Sequence, residues 1–159
     1  MRDITRILLY KGKWTMQWVD SDGSGHMISS IEPGREELYD AMRALRPFVT
    51  EICEMPPEYA AKMNVTGVTW SYTKTNILVT FQCLRYIDAS PLKPFKFHTP
   101  PWPRYTGGTP NQGTMSSPLI QCLNFLVEEA NRYIDGDRAQ TKLIFDDGEA
   151  KDDEGGASS

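Results

Sequence analysis

The stretch Val65-Thr66-Gly67-Val68-Thr69-Trp70-Ser71-Tyr72-Thr73-Lys74-Thr75-Asn76-Ile77-Leu78-Val79-Thr80-Phe81-Gln82-Cys83-Leu84-Arg85-Tyr86-Ile87 decides the fold. Residues 65–72 and 77–87 are rich in β-branched and aromatic side chains, and the polar tetrad Thr73 to Asn76 between them is turn chemistry. Ile77, Val79, Phe81 and Cys83 sit two apart, so they share one strand face. An antiparallel hairpin with one face against a core is predicted.

Towards the C-terminus, Ser116-Ser117-Pro118 combines a serine cap with a proline at the first helical position. Leu119, Cys122, Leu123, Leu126, Ala130, Tyr133 and Ile134 then trace one helical stripe that stops before Gly136. Towards the N-terminus, Ile7 to Val19 reads as another hairpin about Lys11-Gly12-Lys13, with Trp14, Met16 and Trp18 on one face and Thr15, Gln17 and Val19 on the other. His26 to Ile31 extends it into a meander. Leu38, Met42, Leu45, Val49 and Ile52 recur at helical spacing after Glu32-Pro33-Gly34. Pro47 should kink or split that helix, because it lacks an N–H and its ring clashes with the carbonyl four residues back. Pro56-Pro57 ends it, and residues 57–63 read as one or two helical turns.

Two hairpins, each followed by an amphipathic helix, predict an α+β fold: an antiparallel sheet with two amphipathic helices on one face. Seven of the eleven prolines lie between Pro91 and Pro118, so residues 89–115 are expected to be mostly irregular. Residues 138–145 are polar and then apolar, fitting either a short last strand or an anchor.

With 159 residues the chain suits one core that buries roughly 70% of the unfolded surface. A single domain over 1–145 is expected, followed by a disordered acidic tail over 146–159. Six of the 21 acidic residues and one of the 17 basic ones fall in that tail, which gives it a charge of -5. The body is left with 16 basic against 15 acidic groups, so a pI of about 5.2 does not exclude a polyanionic partner. No apolar run resembles a signal peptide or a membrane span, so a cytoplasmic, non-membrane protein is expected. Cys53, Cys83 and Cys122 are far apart, odd in number and set in apolar segments, which favours reduced, packed thiols over disulfides or zinc.

Catalytic and ligand signatures are sparse. Asp20-x-Asp22-x-Ser24-Gly25 matches the start of a calcium loop, but the twelfth position is Ile31 where a bidentate glutamate is required, so a solvated hairpin loop is expected. His26 and His98 are not at ligand spacing with each other or with a cysteine, and no metal or cofactor is expected. No GxSxG elbow occurs, Gly107-Gly108 lacks the GK[ST] ending of a phosphate loop, and Glu36-Glu37, Glu51, Glu54 and Glu128-Glu129 read as solvated helix faces.

Interaction candidates are clearer. Phe95-Lys96-Phe97-His98 and Trp102-Pro103-Arg104-Tyr105 interleave rings with cations, the pattern that stacks single-stranded bases while neutralising phosphates, with Lys93 adding to it. Trp14 and Trp18 become interface candidates if their strand face is the exposed one. The expected interaction set is Trp14, Trp18, Phe95, Phe97, Trp102, Arg104 and Tyr105.

Three strings carry a resemblance. Leu9-Tyr10-Lys11-Gly12-Lys13-Trp14-Thr15-Met16 is the first. Leu45-Arg46-Pro47-Phe48-Val49 with Met55-Pro56-Pro57-Glu58-Tyr59 is the second, and Asn131-Arg132-Tyr133-Ile134-Asp135-Gly136-Asp137-Arg138-Ala139-Gln140 the third. Together they resemble small uncharacterised phage and prophage proteins over most of residues 5–145. The resemblance implies a phage-encoded accessory protein acting beside recombination or replication enzymes, or blocking a host factor, and it carries over no functional residue. The expected function is therefore a non-enzymatic interaction protein that binds a protein partner of nucleic-acid metabolism or host defence. A single-stranded nucleic-acid-binding accessory is the alternative, and a homo-oligomer is left open.

Overall fold

The computed structural model describes residues 2–104 and 115–139. Strands β1 (Arg2–Tyr10), β2 (Lys13–Asp20) and β3 (Gly25–Ser30) form the expected meander, and β4 (Met63–Tyr72) with β5 (Ile77–Ile87) forms the expected second hairpin. They join in one antiparallel sheet with strand order β3-β2-β1-β4-β5-β6, in which β6 is Ser90–His98. A two-residue strand, β7 (Trp102–Pro103), pairs with Leu78 and Val79 further along β5.

The turn between β1 and β2 has two residues, Lys11 at φ 51° and Gly12 at φ 76°. That left-handed pair matches the twist of the flanking strands, and Gly12 adopts it without a Cβ clash.

Helix α1 (Glu36–Arg43) and helix α2 (Arg46–Ile52) are the two halves of the predicted stripe. The break precedes Pro47, which lies in the first turn of α2 where an N–H would have no partner. A 3-10 turn follows over Pro57–Lys62. Helix α3 (Ser117–Ile134) starts as predicted, with the Ser116 hydroxyl accepting the Leu119 N–H at 3.3 Å. It stops at Gly136, φ 98°, where Gly136 N–H reaches Tyr133 O and Asp137 N–H reaches Arg132 O.

All three helices cover one face of the sheet. Ile7, Trp14, Met16, Val68, Phe81 and Cys83 from the strands pack there against Leu38, Leu45, Val49, Leu119, Leu126 and Tyr133 from the helices. The buried carboxylate of Glu129 in α3 lies 3.3 Å from Arg35 Nη1, and Tyr133 donates to Glu32 O at 2.6 Å. These bonds tie the approach to α1 onto α3.

One expectation is corrected. The described part of residues 89–115 is not mostly irregular, because β6 and β7 lie within 89–104; residues 105–114 lie outside the described residues. Both run along the outer edge of β5, where a proline removes no ladder bond that the sheet needs. Thr99 bridges the two strands: its N–H donates to Phe81 O at 2.9 Å and its hydroxyl accepts Phe81 N–H at 3.0 Å. Pro100-Pro101 therefore interrupt the edge without leaving the buried Phe81 unpaired. The tail expected over 146–159, and the apolar end of 138–145, lie outside the described residues.

Candidate interaction face

Strand alternation sends one set of side chains into the core and the other onto a face that no helix covers. Register fixes the second set: Tyr10 opposite Lys13, Leu8 opposite Thr15 and Arg6 opposite Gln17, continued by Ser29 and Met27 on β3. On the far strands the same face carries Thr69 opposite Thr80, Gly67 opposite Gln82, then Lys96 and His98 on β6. Gly67 lets Leu8 lie flat across β4, since a Cβ there would meet Leu8 Cδ1 at 3.1 Å.

The charge on this face is one-sided. Arg6, Lys11, Lys13 and Lys96 supply cations, and among the described residues the only strand carboxylate in this register is Asp3, at the far margin, where it lines a cleft beside α3. The helix layer holds Glu36, Glu37, Asp40, Glu51, Glu128 and Glu129.

At the β1–β2 turn end of the face stands Tyr10, 41% exposed. Lys11 Nζ lies 5.4 Å from its ring centroid and Lys96 Nζ 5.2 Å from it, so two ammonium groups attend one open ring. Tyr86, also 41% exposed, is held at the same end of the face by Asn64 Nδ2, which donates to its hydroxyl at 3.3 Å. A polar field surrounds them, with the Thr15 and Ser29 hydroxyls 2.9 Å apart and Gln17 Nε2 directed at Met27 Sδ.

The residues singled out from sequence separate. Trp14 is not an interface residue: it is fully buried, its ring 5.3 Å from Tyr39 and 6.1 Å from Tyr133, with Nε1 donating to the Tyr39 hydroxyl. The face it shares with Met16 is the one the helices cover. Trp18 lies at the margin of that layer, half-buried, stacked on His26 at 5.4 Å with the Arg2 guanidinium 5.6 Å from its ring.

Phe95 and Phe97 stack on each other at 5.9 Å. Opposite Arg85 and Cys83, they project to the helix side, while Lys96 and His98 project to the open side. The interleaving of rings and cations along β6 thus sorts them onto opposite faces. Phe97 and Trp102 pack against the core, and Phe95 stays half-exposed at 52%. Arg104 lines a cleft of about 230 Å³ between α3 and the ends of β4 and β5, together with Asp3 and Tyr72. Burial pushes the Tyr72 hydroxyl up, Asp3 adds to this, and Arg104 opposes it. Tyr105 lies outside the described residues.

Tyr10, Arg6, Lys11 and Tyr86 were missed. For Tyr10 and Arg6 the signal is the complement of the tryptophan face on the same hairpin, and for Tyr86 it is the complement of the Phe81–Cys83 face on the second hairpin.

Other chemistry is limited. Burial pushes the Cys83 thiol up to about 12 and also raises Cys53, which keeps both protonated near neutrality. The Asp20–Ser24 loop uses its carboxylates internally, since Asp22 Oδ1 accepts Ser24 N–H and Asp20 pairs with His26 at 2.6 Å. Among the described residues no three His, Cys, Asp or Glu side chains are grouped to hold a metal, and no helix is long and apolar enough to cross a membrane.

No protein-family model, curated protein or solved structure matches this chain.

Proposed function

We propose that this protein is a non-enzymatic accessory protein, of the phage type its sequence resembles, that lays single-stranded nucleic acid across the uncovered face of its sheet. The observation that carries this reading is the open Tyr10 ring with Lys11 and Lys96 beside it, on a face whose cations are separated from the carboxylates of the helix layer. A base stacks on a ring and its phosphates seek the flanking ammonium groups, without any demand on sequence. Six strands at ~4.8 Å spacing span ~25 Å, room for a few nucleotides.

Fluorescence anisotropy with a labelled oligonucleotide tests the reading. Tyr10→Ala should weaken binding about 5- to 150-fold, the range expected for one lost base–ring stack. No binding at low salt by the unaltered protein would overturn it.

A protein partner, the first expectation from the sequence, is kept as the second reading because of β3. This strand ends the sheet, carries no lysine, arginine or proline along Gly25–Ser30, and exposes Met27 to 63%, with Ile31 beyond it at 79%. Such an edge accepts an extended segment by strand addition. Ile31→Asp, just beyond the strand, should then remove a partner recovered from the native host while leaving oligonucleotide binding intact.

A further inference from the structure

The uncovered face ends at the β1–β2 turn, and a second feature begins there. A cleft of about 320 Å³ lies between that turn, α1, the start of α2 and β4, lined by Lys11, Arg43 and Arg46 with Tyr39, Asn64 and Thr66. No carboxylate lines it. Arg43 is already engaged by Glu36 and Asp40, but among the described residues Arg46 and Lys11 have no carboxylate partner.

Two further details point to an anion. Tyr39 hydroxyl oxygen accepts from Trp14 Nε1 at 3.3 Å and from Gly34 N–H at 3.2 Å, so its own proton has no acceptor among the described residues. A half-buried donor in a cleft of cations is satisfied by an incoming oxyanion. Lys11 holds a left-handed backbone at φ 51° in a two-residue turn where Asn, Asp or Gly is the usual occupant. That turn places the Lys11 ammonium group between the cleft and the Tyr10 ring.

We infer that this cleft is a binding site for a phosphate group, held by Arg46, Lys11 and the Tyr39 hydroxyl. The inference deepens the nucleic-acid reading if the phosphate is the terminal phosphate of a strand lying on the sheet. The same chemistry would take the phosphate of a free nucleotide.

Amide chemical shifts of the full chain, titrated with inorganic phosphate against sodium chloride of matched ionic strength, decide it. Saturable shifts at Gly12 and Arg46 are expected, weakened about tenfold in Arg46→Gln and again in Tyr39→Phe. Absence of a saturable response, or an unchanged response in Arg46→Gln, overturns the site. The source is read separately, with oligonucleotides carrying a terminal phosphate or a terminal hydroxyl. A phosphorylated strand that binds several-fold tighter, with the advantage lost in Arg46→Gln, assigns the site to strand ends. Equal binding of the two strands beside a phosphate response assigns it to a free phosphate compound. Binding of the hydroxyl-ended strand reports on the sheet face alone, so loss of one proposal is distinguishable from loss of the other.

Discussion

Trp14 and Tyr10 lie four residues apart in one hairpin and have opposite fates, because the two-residue turn and the strand period put them on opposite faces of the sheet. Trp14→Ala should cost about 3–5 kcal/mol of stability in chemical denaturation, through the cavity and the lost Tyr39 bond. Tyr10→Ala should stay within about 1 kcal/mol of the unaltered protein in the same measurement, and act on binding instead. Cys83 gives a pH prediction with a definite sign. Its thiol is raised from 9.0 to about 12 by burial, so between those values the unfolded chain has lost a proton that the folded chain keeps. Stability should therefore be level below pH 9 and fall as pH rises above it, by at most about 1.4 kcal/mol per pH unit from this group. Denaturation at pH 8 and pH 10 checks it, and Cys83→Val should flatten the fall.

At the level of elements, the strongest local signals were legible. The Ser116 cap, the Gly136 stop and the break at Pro47 each follow from a single residue whose backbone chemistry admits few alternatives. The second hairpin was equally plain, because its β-branched residues and polar turn agree with each other. Strands β6 and β7 were not legible, since prolines at 91, 94, 100, 101 and 103 argue against any strand inside a sheet, and only the edge position makes them harmless. That position is set by tertiary pairing, which composition does not carry. Thr99 holds the arrangement, and Thr99→Val should leave the buried Phe81 N–H without an acceptor at a cost of about 1–3 kcal/mol, measurable by denaturation. The candidate site was legible only in part. The rings and cations of β6 were seen, but their division between two faces depends on register, and the Tyr10 cluster depends on Lys96 reaching it from a strand three places away.

For the whole molecule, charge is the organising feature. The body is near neutral in total, yet the bare side of the sheet carries Arg6, Lys11, Lys13 and Lys96, whereas on the helix side the carboxylates are interspersed with Arg35, Arg43, Arg46 and Arg132. The sequence of residues 146–159 adds -5 to a chain whose body carries +1. Removing those residues should tighten oligonucleotide binding, and more so at low salt, because a covalently attached polyanion competes for the same cations. The central claim is that the uncovered face binds a single strand through Tyr10 and the cations near it. Anisotropy titration of a labelled oligonucleotide across a salt series tests it most directly, on the unaltered chain and on the Lys11→Ala/Lys96→Ala double variant. A log–log salt slope of about -3 is expected for four engaged cations, falling to roughly half that in the variant. A salt slope unchanged in the double variant would contradict it.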